Sequence, residues 1–137
     1  MDRGTKGDRV TADELAKEKK KAKQDAQAEK IRRAICDYCE QHGFPAPVQE
    51  HEFYAVRGWK FDYAWPELGI ALEVEGGAAI GGRHTSVGGF EADIAKYNEA
   101  AIRGWLVLRC LTSKARSART LGLLWRAMLA RGVRAKS

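Results

Sequence analysis

The chain reads Lys60-Phe61-Asp62-Tyr63-Ala64-Trp65-Pro66-Glu67-Leu68-Gly69-Ile70-Ala71-Leu72-Glu73-Val74-Glu75. Two runs rich in aromatic and branched residues flank a Pro-to-Gly turn, which predicts a β-hairpin. Successive side chains alternate across a strand, so Glu73 and Glu75 are expected on one face, and the hairpin turn brings Asp62 beside them. Three carboxylates would then converge. Like charges held that closely repel unless a proton or cation intervenes, and an oxygen-ligated divalent cation such as Mg2+, with Mn2+ as a substitute, is the expected occupant. The competing reading is a half-exposed hairpin with its acids in solvent, but Glu73 and Glu75 interrupt an apolar run directly before a glycine-rich loop.

Upstream, Val48 to Val56 reads as another strand, closed by the Arg57-Gly58 turn. Phe44-Pro45-Ala46-Pro47 is a connector, because each proline lacks a donor and pushes its predecessor toward extended geometry. Before it, Thr11-Ala12-Asp13-Glu14 resembles a capping box, and the residues that follow favour a helix running toward Gln41, stopped by His42-Gly43. Its first half is polar. Ile31, Ile35, Tyr38 and Cys39 supply an apolar stripe only in the second half. The lysine run from Lys17 to Lys23 reads either as a phosphate-contacting arm or as a solvated helix. Residues 1 to about 10 lack periodicity and read as a disordered leader.

Downstream, Gly76 to Gly89 holds six of the 14 glycines around Arg83-His84-Thr85-Ser86 and reads as a flexible loop beside the acids. Phe90, Ile94, Tyr97 and Ala101 recur at helical spacing and are expected to form a buried face, with Gly104 ending the helix. Trp105 to Cys110 is a short apolar strand. Ser117 to Ala130 is an amphipathic helix with Leu121, Leu124, Trp125 and Met128 inward. The order is α-β-β-β-α-β-α, an α/β fold with a mixed sheet of about four strands flanked by helices. The expected organisation is a basic leader and helical arm over 1–28, a folded domain over 29–132 and a basic tail over 133–137.

The 137 residues, 45% of them apolar, can bury one core. The net charge of +6 is unevenly spread: no acid follows Glu99, while nine basic residues do. A polyanionic partner is expected, although basic tails also serve solubility. No apolar run is long enough to span a membrane and the start of the chain is polar, so no membrane association, no secretory signal and a cytoplasmic location are expected. Cys36, Cys39 and Cys110 read as reduced thiols; Cys36-x-x-Cys39 lies in a helical pattern without a second paired half-site for zinc.

Strand-borne acids followed by a helical basic residue fit metal-assisted phosphodiester cleavage, in which carboxylates hold metal and a lysine orients water or stabilises developing charge. Lys96 is the candidate lysine. Asp93 and Lys96 share a helix face, and the simpler account is a surface ion pair. Arg83 is placed to clamp a phosphate and His84 to act as general acid or phosphate ligand, unless His84 is an ordinary surface residue. The loop lacks the signature of a nucleotide-binding P-loop.

Phe61-Asp62, then Ala71-Leu-Glu73-Val-Glu75-Gly-Gly, Gly82-Arg-His84, Phe90-Glu-Ala-Asp93-Ile-Ala-Lys96-Tyr-Asn98 and Gly104-Trp-Leu-Val-Leu-Arg109 together resemble the PD-(D/E)XK nuclease superfamily, and within it the small branch of very-short-patch-repair-like endonucleases and phage-type Holliday junction resolvases. The resemblance covers roughly residues 29 to 112. It implies a restriction-endonuclease-like core and a metal held by Asp62, Glu73 and the Val74 carbonyl. Where the family pattern places lysine, this chain has Glu75, so either Lys96 takes over that role or Glu75 is itself a ligand. Many members add a glutamate from the first helix; Glu29 is the candidate, with Glu18 or Glu40 as substitutes.

The expected activity is therefore that of a Mg2+-dependent DNA endonuclease, structure-specific and junction-resolvase-like, with a nicking mismatch-repair-type or restriction-like nuclease as the alternative. Cutting two strands symmetrically implies a homodimer. Phage recombination follows from the resemblance alone. Candidate DNA contacts are Arg83, His84, Lys60, Arg57, Arg116 and Arg119. A non-catalytic nucleic-acid-binding module is the reading from another class, but a binder of phosphates gains nothing from an acidic cluster. A helical assembly protein driven by the N-terminal helix is the third.

Overall fold

The computed structural model describes residues 9–76 and 87–136, with Val87 by its backbone alone. The expected leader over its first eight residues, and the loop segment bearing Arg83 and His84, lie outside the described residues. Contacts divide the chain into a unit up to Arg33 and a unit from Ala34 onward.

Helix α1 (Ala12–His42) begins with the expected capping box: Glu14 N–H donates to Thr11 Oγ1 at 3.1 Å and Thr11 N–H donates to Glu14 Oε2 at 3.1 Å. Gly43 ends it at φ +70°, a conformation that favours glycine, and Phe44 N–H reaches back to the Cys39 carbonyl at 2.8 Å. In the second unit Ile35, Cys39 and Phe44 are buried.

Four strands follow in the order β1 (Val48–Tyr54), β2 (Trp59–Trp65), β3 (Ile70–Glu75) and β4 (Leu106–Leu111), hydrogen-bonded side by side in that order. β1, β2 and β3 form the expected antiparallel meander, whereas β4 runs parallel to β3 with Glu73 opposite Arg109 and Glu75 opposite Leu111. A parallel pair needs a crossover, which helix α2 (Val87–Ile102) provides. The architecture is the expected α/β mixed sheet with flanking helices.

The two faces carry different helices. Ala64 and Ala71 on the sheet meet Ala100 of α2 in one buried cluster that includes Phe61, with Phe53, Trp105 and Val107 packed against it. Three alanines at that contact let the helix approach closely. On the opposite face, Cys110 lies beside Thr120 of helix α3 (Ala118–Ala130), whose Leu124 and Met128 are buried. Ser117 caps α3 by accepting Thr120 N–H at 3.2 Å. Trp125 packs edge-on to His42 and Phe44, and buried Trp65 donates its indole N–H to the Pro45 carbonyl at 2.7 Å. Residues to Lys136 are tied back, since Lys136 N–H donates to the His42 carbonyl at 2.7 Å.

One expected packing face is corrected. Phe90 and Ile94 are 60% and 47% exposed and Ala101 is exposed, so the stripe assigned to the core is not the one buried. The helix instead turns Ala100 into the core and presents Lys96 and Tyr97 to Glu73. A buried carboxylate that requires donors, together with the short alanine contact, outweighs the transfer gain from two apolar side chains.

Candidate active site

The β2–β3 ladder runs through Trp65 opposite Ile70, Ala64 opposite Ala71 and Tyr63 opposite Leu72. At the next position the carboxylates take over from the backbone. Asp62 N–H donates to Glu73 Oε2 at 2.9 Å, and Val74 N–H donates to Asp62 Oδ2 at 2.7 Å. Asp62 also marks a break in alternation, because Phe61 and Ala64, three residues apart, join the same buried cluster. Opposite it on β1, Glu50 adopts φ +51°, an uncommon value for a side chain that is not glycine. The two strands are thereby reshaped around one acid pair.

Glu73 is only 5% exposed and holds three contacts beyond its strand. Besides the Asp62 N–H, its Oε1 accepts from Lys96 Nζ and from Tyr97 Oη, the latter at 3.3 Å. Lys96 is consequently no surface partner of a neighbouring helical acid alone; it crosses from α2 to the sheet, its ammonium 5.6 Å from the centre of the Phe61 ring. Burial, and then the Glu73 charge, push the Asp62 carboxyl up to about 7, against the lowering effect of the Val74 N–H, while Glu50 adds further repulsion. Burial foremost, with Glu73 next, raises the Tyr97 hydroxyl as well, so Tyr97 stays a neutral donor.

Glu75 lies beyond this pair and is engaged elsewhere. Its Oε1 accepts from Arg109 Nε at 3.0 Å and from Arg109 Nη2, and the guanidinium lies 4.5 Å over the Tyr97 ring. Among the described residues no three His, Cys, Asp or Glu side chains form a cation-holding group. Of the three acids expected to converge, Asp62 and Glu73 each bond the other's strand, while Glu75, two residues beyond Glu73, accepts from a guanidinium that the parallel pairing of β4 brings within reach. Beyond Glu75, a cleft of about 460 Å³ opens between α2 and the sheet, lined by Phe90, Asp93, Ile94 and Asn98 from the helix side, with Tyr97, Glu75 and Arg109 joining it to the acid pair.

The donor chemistry of Asp62 and Glu73 fits a hard divalent cation. Both are oxygen donors, each accepts a backbone N–H from the other's strand, and burial together with the Glu73 charge holds Asp62 toward its protonated form. Glu29 lies in the first unit, where its carboxylate is bound by Arg32 at 2.9 Å and approached by Arg33 at 3.7 Å. Glu18 and Glu40 are exposed on α1. Arg57 stacks over Trp59 at 4.8 Å on the β1–β2 hairpin, and Lys60 is exposed two residues before Asp62. Arg116 and Arg119 are exposed where the chain turns from β4 into α3. Cys36, Cys39 and Cys110 are free thiols, and burial pushes the Cys39 thiol up to about 12.

Three contributors escaped the sequence reading. Tyr97 was assigned to the core, and Glu50 carries no local signal because its effect depends on strand pairing with β2. Arg109 lies within the Gly-Trp strand motif, but its partner across the sheet was not legible. Comparison with protein-family models, curated proteins and solved structures found no match.

Proposed function

We propose that this chain is a metal-dependent DNA endonuclease of the PD-(D/E)XK type, structure-specific and resolvase-like, acting on branched DNA as a homodimer. The observation that carries the reading is the connected trio of Asp62, Glu73 and Lys96, in which two adjacent carboxylates are buried far enough to repel and a lysine reaches across from α2 to hold one of them. A site meant only to grip phosphates would not place carboxylates at its centre.

Asp62 and Glu73, with the Val74 carbonyl, would hold Mg2+, and the bound cation would supply the positive charge that polarises a phosphate and acidifies water. Asp62, whose carboxyl burial and Glu73 push up to about 7, would hold such a cation as the carboxylate, having given up its proton to solvent. Lys96 Nζ keeps Glu73 oriented and offers further N–H bonds to an attacking water or to charge developing on the phosphate. Tyr97 Oη shares the same carboxylate oxygen and limits its rotation. Arg57 and Lys60 on the hairpin, with Arg116 and Arg119 beyond β4, supply cationic side chains for flanking phosphates. No described helix is long and apolar enough to cross a membrane.

The test is a gel assay on a labelled four-way junction beside matched linear duplex and single strand, with Mg2+ or EDTA, for wild type and Asp62→Asn. Paired symmetric cuts confined to the junction, lost in EDTA and in the variant, are the expected result. Cleavage of all three substrates keeps the nuclease and discards junction specificity. Binding without cleavage, unchanged by Mn2+ or by the substitution, sinks the catalytic assignment in favour of a binding module.

A further inference from the structure

Phe90 and Ile94 stand four apart on α2, exposed, with Asn98 four further on the same row, while Asp93 and Tyr97 form the adjacent row. Across from them, β3 and β4 contribute Glu75 and Arg109, so a helix wall that mixes Phe90 and Ile94 with Asp93, Tyr97 and Asn98 faces a charged sheet wall. Its volume of about 460 Å³ suits a small planar group rather than a duplex. Its chemistry is mixed in a specific way: an aromatic ring and an aliphatic branch offer a stacking surface, and the Asn98 amide both donates and accepts. Arg109 is half exposed and spends its Nε and Nη2 on a single Glu75 oxygen, which leaves guanidinium N–H groups for a phosphate or a base edge. Tyr97 links the cleft wall to the acid pair, since its ring carries Arg109 and its hydroxyl reaches Glu73.

We infer that this cleft is a subsite for one unstacked nucleobase of the DNA strand whose phosphate lies at Asp62 and Glu73, an inference that rests on the nuclease reading above. A paired base cannot enter, since its faces are covered by neighbours and its edge by its partner. The substrates favoured are therefore DNAs with an unpaired nucleotide beside the cut: branch points, bulges and mismatches. The binding energy comes from stacking on Phe90, and the orientation from Asn98.

The experiment uses the full chain with two substrates that differ only in one nucleotide beside the cleavage position, unpaired in one and paired in the other, each carrying 2-aminopurine there. Wild type, Phe90→Ala and Asn98→Ala are compared by single-turnover cleavage in Mn2+, by fluorescence of the analogue and by sedimentation. Both positions are exposed, and matching melting temperatures verify the fold. The expected result is that wild type quenches the unpaired analogue, and that Phe90→Ala abolishes the quenching and slows cleavage of the unpaired substrate about tenfold, with the paired substrate unchanged. If both substrates respond equally, or neither does, the inference falls and the nuclease reading survives. If Phe90→Ala instead dissociates a dimer, the cleft is an interface between copies and the inference falls. If wild type neither binds nor cuts any DNA, the nuclease reading falls and the inference with it.

Discussion

Asp62 and Glu73 each bond the other's strand: the Asp62 N–H meets Glu73 Oε2 at 2.9 Å, and Asp62 Oδ2 accepts the N–H of Val74, next to Glu73, at 2.7 Å. Two carboxylates thus stand where a backbone ladder would otherwise continue. The arrangement trades stability for a site that attracts positive charge, because the protein holds two acids close together and out of water.

The first consequence is a pH dependence opposite to that of an ordinary salt-bridged aspartate. Asp62 titrates at about 7 in the folded protein, above its value in the unfolded chain, so between about pH 4 and 7 the folded state binds more protons. Stability therefore falls as pH rises through that window and levels off above it. Urea unfolding in EDTA should lose on the order of 1–3 kcal/mol between pH 5 and 8 from this residue, discounted for partial exposure, and Asp62→Asn should remove that loss.

Cation binding should follow the pairing of side chains rather than the count of acids. At pH 8, Mn2+ or Mg2+ should raise the melting temperature of wild type and of Glu75→Gln, whose side chain serves Arg109, but not of Asp62→Asn or Glu73→Gln. Isothermal titration with Mn2+ checks the same point, and equal loss in Glu75→Gln would restore the third carboxylate as a ligand.

Lys96 is coupled to Glu73 strongly enough to measure. Lys96→Met leaves a nearly buried carboxylate with one donor fewer and should cost on the order of 3 kcal/mol. Pairing it with Glu73→Gln should recover most of that loss in a double-mutant cycle, whereas an independent surface lysine would give additive changes.

Gly69 joins the hairpin to the start of β3 at φ +66°, and a Cβ there would meet the Gly104 carbonyl at 3.4 Å. Gly69→Ala should lower stability by about 1–2 kcal/mol by thermal melting, through the positive φ and the close carbonyl together. Gly122→Ala is the control, since nothing lies within 4 Å of its Cβ position and it sits in α3, where alanine is the better helix former.

Local chemistry was legible from the residues in order. Thr11 with Glu14 marked the start of α1, Gly43 its end, Pro66 to Gly69 the hairpin, and the apolar run from Ile70, broken by Glu73 and Glu75, a strand delivering acids at its tip. Each of these depends on neighbours a few positions apart, which is the range over which spacing carries information. Asp62, Glu73 and Lys96 were accessible for the same reason: each stands out against its own strand or helix. The rotation of α2 was not, because the stripe of Phe90, Ile94, Tyr97 and Ala101 is as regular as the row that is buried, and the demand of Glu73 for donors, with the alanine contact to the sheet, selects between them.

The order of residues along the chain dictates the identity and succession of the elements and the acids at the end of β3, since backbone preferences and side-chain periodicity are local. Which side chains meet across those elements is settled by how the elements pack. The parallel placement of β4 sets Arg109 opposite Glu73 and gives Glu75 a guanidinium partner, β1 brings Glu50 against Asp62, and α2 shows Phe90 to solvent above a cleft. Those choices arise from competition among burial, charge and hydrogen bonding between segments distant in the chain, and no window of sequence contains both competitors.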